Sequence, residues 1–380
     1  MTPSTKAAET LVADLRFFKP TRDVPLYLFP SYDILPFKLM AYHNETAARR
    51  IRALYQLLES PTPPIVVAAA ETLLQKVVPK QEIINYAELL MAGEEIDRER
   101  LIEKLIAGGY THAAIVEEPG DFCVRGGILD IYCPLYPDPM RIEFFGDVAE
   151  SIRFFSAASQ RTIQSSAEAV ILPAREMILY KALLPQTINR IRSRAAELEI
   201  PLTEVRTIVD SIKDGHRFAG IENLIPLVYP ELGTVFDFLP DDALVISISN
   251  EALTDAVRAQ ENHIARNYET AYLAKNLCVE PASLYLSGSQ IQTLIAQRRP
   301  LVFKMLEVHA SYRQNDGGSL RFKAVVEDNS DIRLQLKNYR EKENLLKPLA
   351  DWLDAKRRNG LTPALACRTE TQAQRLKSLL

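Results

Sequence analysis

Short apolar runs alternate with amphipathic helical stretches, and this alternation limits the fold more than any other feature of the sequence. A fully apolar run bounded by turn residues is typical of a strand buried on both faces of a parallel sheet. Helices between such strands pack on the two faces of the sheet, so the pattern predicts an α/β fold. The predicted core strands are residues 26–29, 65–69 and 244–248, and the predicted helices beside them include residues 7–18, 71–78 and 250–273.

A further helix is predicted after the loop around Pro36. Asn44 is a residue type that caps helices, so the helix is expected to begin there. Its apolar and basic residues fall on opposite faces at helical spacing. The apolar face holds Ala47, Ile51, Leu54 and Leu58, and the polar face holds Arg49, Arg50 and Arg52.

After about residue 88 the alternation gives way to a β-rich stretch. A predicted helix at 97–107 ends at a pair of glycines, and strands are predicted within 121–133, 140–145 and 150–155. We therefore expect an α+β insertion in a parallel-sheet core, followed by a small α/β domain with strands at 301–305 and 364–367, a polar loop at 315–319 and a helix at 339–358. The predicted domains are 1–87 (first half of the core), 88–172 (insertion), 173–296 (second half of the core) and 297–380 (small domain).

The residues that nucleotide hydrolysis requires are not found in the sequence. No G-x-x-x-x-G-K-[ST] loop is present, although such a loop is what cradles phosphates in an ATPase of this fold class. The core strand at 244–248 is followed by Ser249 and Asn250, where an ATPase would carry an acidic pair for Mg²⁺. The five histidines are separate from one another and from the cysteines. We therefore expect no catalytic, cofactor-binding or metal-binding residue in this chain.

Composition excludes other classes of protein. The chain has 45 basic and 49 acidic residues, and a net charge of −4 gives no general attraction to nucleic acid. The four cysteines form no C-x-x-C pair, which favours a reducing compartment. The sequence has no apolar leader and no apolar run near the ~20 residues that span a bilayer. A soluble, cytoplasmic protein is expected.

The most informative pattern lies in the predicted strand 140–145. Alternation places Met140, Ile142 and Phe144 on one face, which must be the core, and the other three residues on the opposite face. Those three are Arg141, Glu143 and Phe145, and a large aromatic beside an arginine is the composition of a binding hot spot. The alternative is that a loop covers Phe145 and that Arg141 pairs with Glu143 or another carboxylate. Arg125 begins the preceding strand and would join the same patch if the two strands pair, although alternation through Gly126 and Gly127 does not fix its face.

These segments resemble the transcription-repair coupling factors and, more distantly, the excision-repair helicase UvrB. The resemblance covers about residues 1–290 and is weak beyond them. It is carried by the run 125–147, by Ser151-Ile152-Arg153-Phe154-Phe155, Gln160-Arg161-Thr162 and 171–176, and by the flanking matches at 29–37, 49–58, 71–77, 220–223 and 236–242.

The resemblance implies a function that the composition alone does not indicate. In these families the inserted domain binds the excision-repair protein UvrA, and the coupling factor does so with two arginines and a phenylalanine that fall on Arg125, Arg141 and Phe145. The surrounding core is implied to be a degenerate relative of the UvrB ATPase core. The loop after Pro36 is too short for the hairpin with which UvrB grips damaged DNA. The segments that bind RNA polymerase and drive translocation on DNA, with ATP and Mg²⁺, would lie outside this chain, which is expected to be part of a larger protein.

Three hypotheses follow. The favoured one is a protein-binding adaptor that recruits UvrA through Arg125, Arg141 and Phe145, on a face that another domain of the parent protein masks until it is needed. The second is an ATP-dependent DNA helicase or repair enzyme of the UvrB type. The third is a scaffold or autoinhibitory contact surface, which is the only role suggested for residues 297–380.

Overall fold

The computed structural model describes the greater part of the chain, and its secondary structure is mixed α/β, as predicted. The chain divides into two compact units, Met1–Glu307 and Val308–Leu380. The described residues are 1–18, 24–32, 34–40, 43–216, 218–303, 330–339, 346–367 and 369–380.

The strands are short and occur mainly in the first 171 residues of the chain. They are β1 Leu26–Phe29, β2 Ile65–Ala68, β3 Glu88–Met91, β4 Thr111–His112, β5 Asp121–Arg125, β6 Ile128–Ile131, β7 Met140–Phe145, β8 Val148–Phe155, β9 Thr162–Ser166, β10 Glu168–Ile171, β11 Ile246–Ile248 and β12 Leu301–Phe303.

The helices flank the strands and dominate the second half of the chain. None of the described helices is long and apolar enough to cross a membrane. They are α1 Thr5–Phe18, α2 Asn44–Glu59, α3 Ala70–Leu74, α4 Lys80–Tyr86, α5 Arg98–Ala107, α6 Leu184–Glu197, α7 Leu202–Lys213, α8 Ile225–Val228, α9 Asn250–Leu273, α10 Pro281–Leu284, α11 Gly288–Gln297, α12 Ser330–Asn338, α13 Lys347–Arg358 and α14 Glu370–Leu379, with 3₁₀ turns at Ile221–Leu224 and Val235–Phe238.

The core strands pair in parallel, as their continuous apolar sequences predict. β1 pairs with β2, and β11 pairs with β12. The first two residues of the chain lie between these pairs: Thr2 forms a parallel bridge to Ala69, while the amino group of Met1 donates to the Ile246 carbonyl at 2.8 Å. The backbone amide of Ile248 in turn donates to the Met1 carbonyl at 3.1 Å. Strands from both ends of the first unit therefore meet across Met1 and Thr2.

Strands within the predicted insertion form a separate six-stranded sheet, in the order β4-β5-β6-β7-β8-β9. From β5 to β9 every neighbouring pair is antiparallel, because consecutive strands are joined by short turns. Helix α5 contributes the buried Leu101 and Leu105 to the core. Outside this sheet β3 pairs antiparallel with β10, so the strands that precede and follow the sheet along the chain lie side by side.

Two expectations for helix α2 are wrong. Residue His43 holds the cap position and makes no side-chain cap bond, while the Asn44 side chain accepts from Arg175 at 2.7 Å. Arg50 was expected on the polar face but is completely buried, where its Nε donates to a Glu176 carboxylate oxygen at 2.5 Å. Although burial opposes the charged form, the Glu176 carboxylate raises the pKa of Arg50 above its ordinary value. A buried ion pair thus joins α2 to the segment that follows β10.

Some of the elements predicted for residues 297–380 differ from those in the structure. The described residues of the second unit form helices α12, α13 and α14 and no strand, so the strand predicted at 364–367 is wrong. The strand predicted at 301–305 is found as β12, but it pairs with β11 in the first unit. Thr369 caps the last helix, accepting from the Gln372 amide at 3.2 Å. The polar loop predicted at 315–319 and part of the helix predicted at 339–358 lie outside the described residues.

Candidate protein-binding site

The hairpin of β5 and β6 places Arg125 at the end of its sheet. Arg125 and Ile128 are opposite each other and flank the turn of Gly126 and Gly127. Gly126 adopts a φ of 58°, a conformation that glycine tolerates at little cost. At Gly127 a side chain has no room, since a Cβ would lie 2.8 Å from the Phe144 carbonyl oxygen. The two glycines therefore allow the turn to approach β7 closely and set the position of Arg125.

A buried carboxylate lies between the two arginines. Asp130 of β6 is directly opposite Arg141 of β7, and its side chain has no exposed surface. The Nε and Nη2 atoms of Arg141 donate to the two Asp130 oxygens at 2.7 and 2.9 Å. Nη2 of Arg125 donates to the second of these oxygens at 2.8 Å. The hydrogen bond to Asp130, opposed by partial burial, raises the pKa of Arg141.

The Arg141 guanidinium also covers an aromatic ring on the same sheet face. Its central carbon lies 4.7 Å from the centroid of the Phe155 ring. Phe155 is fully buried in a small apolar cluster with Val116 and Cys123. Cation–π stacking on one side and the carboxylate of Asp130 on the other fix the Arg141 side chain.

Phe145 lies at the end of this face that also carries the turn of Gly126 and Gly127, since the Phe144 amide donates to the Gly127 carbonyl at 2.7 Å. It is the last residue of β7 and pairs with Val148 across the turn of Gly146 and Asp147. Its side chain is 80% exposed, which is unusual for a phenylalanine. Alternation along β7 places it on the same side as Arg141 and Glu143. An aromatic ring held on a tight turn presents apolar area to a partner without a large ordering cost.

A shallow pocket lies beside the two turns. The Nη1 atom of Arg98 donates to the Gly126 carbonyl at 2.7 Å, which ties the start of α5 to the tip of the β5–β6 hairpin. The pocket has a volume of about 350 Å³ and is lined by Asp97, Arg98, Glu99, Gly127, Phe144, Gly146 and Asp147.

The structure thus decides between the alternatives left open by the sequence. Phe145 is not covered by a loop, whereas Arg141 does pair with a carboxylate. The carboxylate is Asp130; Glu143 instead pairs with Arg153. The role of these side chains in binding stays a prediction.

Sequence reasoning did not assign a role to Asp130. The signal was present, because a single acidic residue in the otherwise apolar run 128–131 must have a buried partner if the strand is internal.

The described residues contain no group of three or more side chains suited to hold a metal ion. At the end of β11, the Ser247 hydroxyl lies 3.3 Å from the Asn250 side-chain oxygen. Ser249 and Asn250, which follow β11, stand where an ATPase would carry its acidic pair.

Comparison with known proteins shows which family the chain resembles. Residues 89–177 match the family model of the UvrB interaction domain, a segment that contains the hairpins with Arg125, Arg141 and Phe145. The chain is 31% identical over 385 aligned positions to a transcription-repair-coupling factor of Myxococcus xanthus, an alignment that covers 99% of this chain and 32% of the relative. The chain belongs to the transcription-repair-coupling factor family.

Other members of the family align less completely. The relative from Haemophilus influenzae is 27% identical over 320 positions, covering 83% of this chain and 27% of that protein. The relative from Escherichia coli is 29% identical over 263 positions, covering 68% of this chain and 22% of that protein. The chain therefore spans about a third or less of the length of these coupling factors.

Proposed function

We propose that this chain is the UvrA-recruiting module of a transcription-repair coupling factor and links stalled RNA polymerase to nucleotide excision repair. The observation that carries the proposal is the exposed Phe145 ring at the end of a sheet face that also holds Arg125 and Arg141. This face belongs to the segment that matches the UvrB interaction domain.

The physical properties of the face suit a protein partner. Phenylalanine and arginine give large contact areas and concentrate binding energy in hot spots. Arg125 is half exposed, so its remaining N–H groups can reach an oxygen acceptor on the partner. Nonspecific attraction to DNA is not a good alternative, since the overall net charge is −4.

We further propose that the chain has no ATPase activity of its own. This rests on Ser249 and Asn250 at the end of β11, where neither side chain can supply a carboxylate to Mg²⁺. Translocation on DNA and binding of RNA polymerase are assigned to parts of the parent protein outside this chain, and we place its action in the cytoplasm. Saturable ATP binding with Mg²⁺-dependent turnover by the purified chain would show this part of the proposal to be wrong.

The test of recruitment is a titration of the chain with purified UvrA. Arg125→Ala, Arg141→Ala and Phe145→Ala are each expected to weaken binding, and a hot-spot residue should lose about 2 kcal/mol or more. Leu202→Ala is a matched control, because Leu202 is 84% exposed and lies outside the segment that matches the family model. Unchanged affinity in all three variants, or an equal loss in the control, would contradict the proposal.

A further inference from the structure

We propose that Asp130 is a positioning residue of the UvrA-binding surface, through which Arg141 acts, while Arg125 and Phe145 make the contacts with the partner. This inference rests on the proposed function. It divides the three predicted contact residues into two that reach the partner and one that holds the surface in shape.

Burial excludes Asp130 from direct contact. The Asp130 side chain has no exposed surface, yet its two oxygens accept three hydrogen bonds from Arg125 and Arg141. A buried carboxylate is tolerated only when it is paired in this way. The contacts are therefore present before any partner arrives, and both guanidinium groups are ordered in the free protein.

The two arginines differ in what they leave for a partner. Arg141 uses Nε and Nη2 on Asp130, lies over Phe155 and is only 22% exposed. Arg125 uses only Nη2 and is 50% exposed. Within the described residues no hydrogen bond is found for Nε or Nη1 of Arg125, so these groups are available to an oxygen acceptor of UvrA, preferably a carboxylate.

Replacing Asp130 separates positioning from simple attraction. Asp130→Asn removes one negative charge from beneath the two arginines. If positive charge alone drew an acidic partner, this variant would bind more tightly. If Asp130 positions the guanidinium groups, binding should become about tenfold weaker, because both side chains must then be ordered during association. The two explanations therefore predict changes of opposite sign.

Glu143→Gln is the matched control. Glu143 lies on the same strand face as Arg141, and its substitution changes the charge by the same amount. Its partners are Arg153 and the Ser151 hydroxyl, so the hydrogen bonds of Asp130 remain. We expect this variant to bind UvrA within about twofold of the original chain, as is usual for a partly exposed ion pair.

The experiment is calorimetric titration of the full chain with purified UvrA, with circular dichroism to verify folding. The supporting result is weaker binding by Asp130→Asn and unchanged binding by Glu143→Gln. Equal or tighter binding by a folded Asp130→Asn variant overturns the inference. Arg141→Lys provides a second route, since it keeps the charge but cannot bind a carboxylate through a planar fork. It should lose affinity like Arg141→Ala, and binding equal to that of the original chain would contradict the inference.

A mutant cycle tests whether Arg141 acts through Asp130. Arg141→Ala should weaken binding in the original chain but have little further effect in the Asp130→Asn background, whereas Arg125→Ala should weaken binding in both. An equal loss from Arg141→Ala in both backgrounds would show that Arg141 meets the partner directly. If the original chain does not bind UvrA, the proposed function fails. If it binds and only Arg125→Ala and Phe145→Ala weaken binding, the function stands and the positioning role of Asp130 fails.

Discussion

Truncation of Phe145 is the sharpest test of the binding surface, because its magnitude follows from the structure. Burying a whole phenylalanine side chain is worth about 1.5–3 kcal/mol. Since the ring is 80% exposed in the free chain, complete burial against UvrA recovers about four fifths of that energy. Phe145→Ala should therefore cost about 1.2–2.4 kcal/mol, which is roughly an 8- to 60-fold increase in Kd. The fold should be unaffected, because an exposed ring contributes little packing.

The assay is titration with purified UvrA at two salt concentrations. The loss caused by Phe145→Ala should be the same at both, because burial of apolar surface does not depend on screening. The loss caused by Arg125→Ala should become smaller at high salt, as the attraction of its partly exposed charge is screened. Binding by Phe145→Ala within about twofold of the original chain would refute the hot spot. A loss of folding stability as large as the loss of binding free energy would also refute it, because the weaker binding would then result from a damaged fold.

Three further predictions concern the turn beside this surface and the stability of the fold. Gly127→Ala should weaken UvrA binding and lower the melting temperature, because the added Cβ would lie 2.8 Å from a backbone carbonyl oxygen of β7; an unchanged melting temperature would contradict this. Glu176→Gln should reduce the free energy of urea unfolding by about 3 kcal/mol, since it leaves the buried Arg50 guanidinium without its anion, and a loss below about 1 kcal/mol would refute that role. The Tyr268 hydroxyl and the Arg194 guanidinium hold the pKa of Glu280 below its ordinary value, although partial burial opposes this shift. The ionised Glu280 therefore stabilises the fold above its unfolded-state pKa, and this stability is lost as pH falls through its folded-state pKa. On acidification, the melting temperature of Glu280→Gln should therefore fall less than that of the original chain.

Local periodicity was sufficient for much of the fold. The long helix predicted at 250–273 is found at Asn250–Leu273, and the predicted core strands 26–29 and 65–69 pair in parallel. These elements succeed because their apolar spacing depends only on neighbours a few residues away. The same reasoning placed Phe145 on the face opposite the core, since strand alternation needs no knowledge of the partner strand.

Contacts between distant segments are not encoded in such spacing. The pattern of α2 assigned Arg50 to solvent, but Glu176, 126 residues later, pairs with it in the interior. The strand predicted at 364–367 has the right composition, yet a strand requires a neighbour to satisfy its backbone, and the described residues provide none there. Likewise the β12 sequence predicted a strand without indicating that its partner would be β11.

The candidate site shows the same division between sequence and tertiary structure. By itself the sequence determined that Arg141 and Phe145 share a strand face, because that follows from a two-residue period. Only the tertiary structure decided that Asp130 faces Arg141, that Arg125 joins them and that Phe145 remains uncovered. The physical reason is that register between strands and coverage by loops depend on the packing of the whole sheet, which a local pattern does not specify.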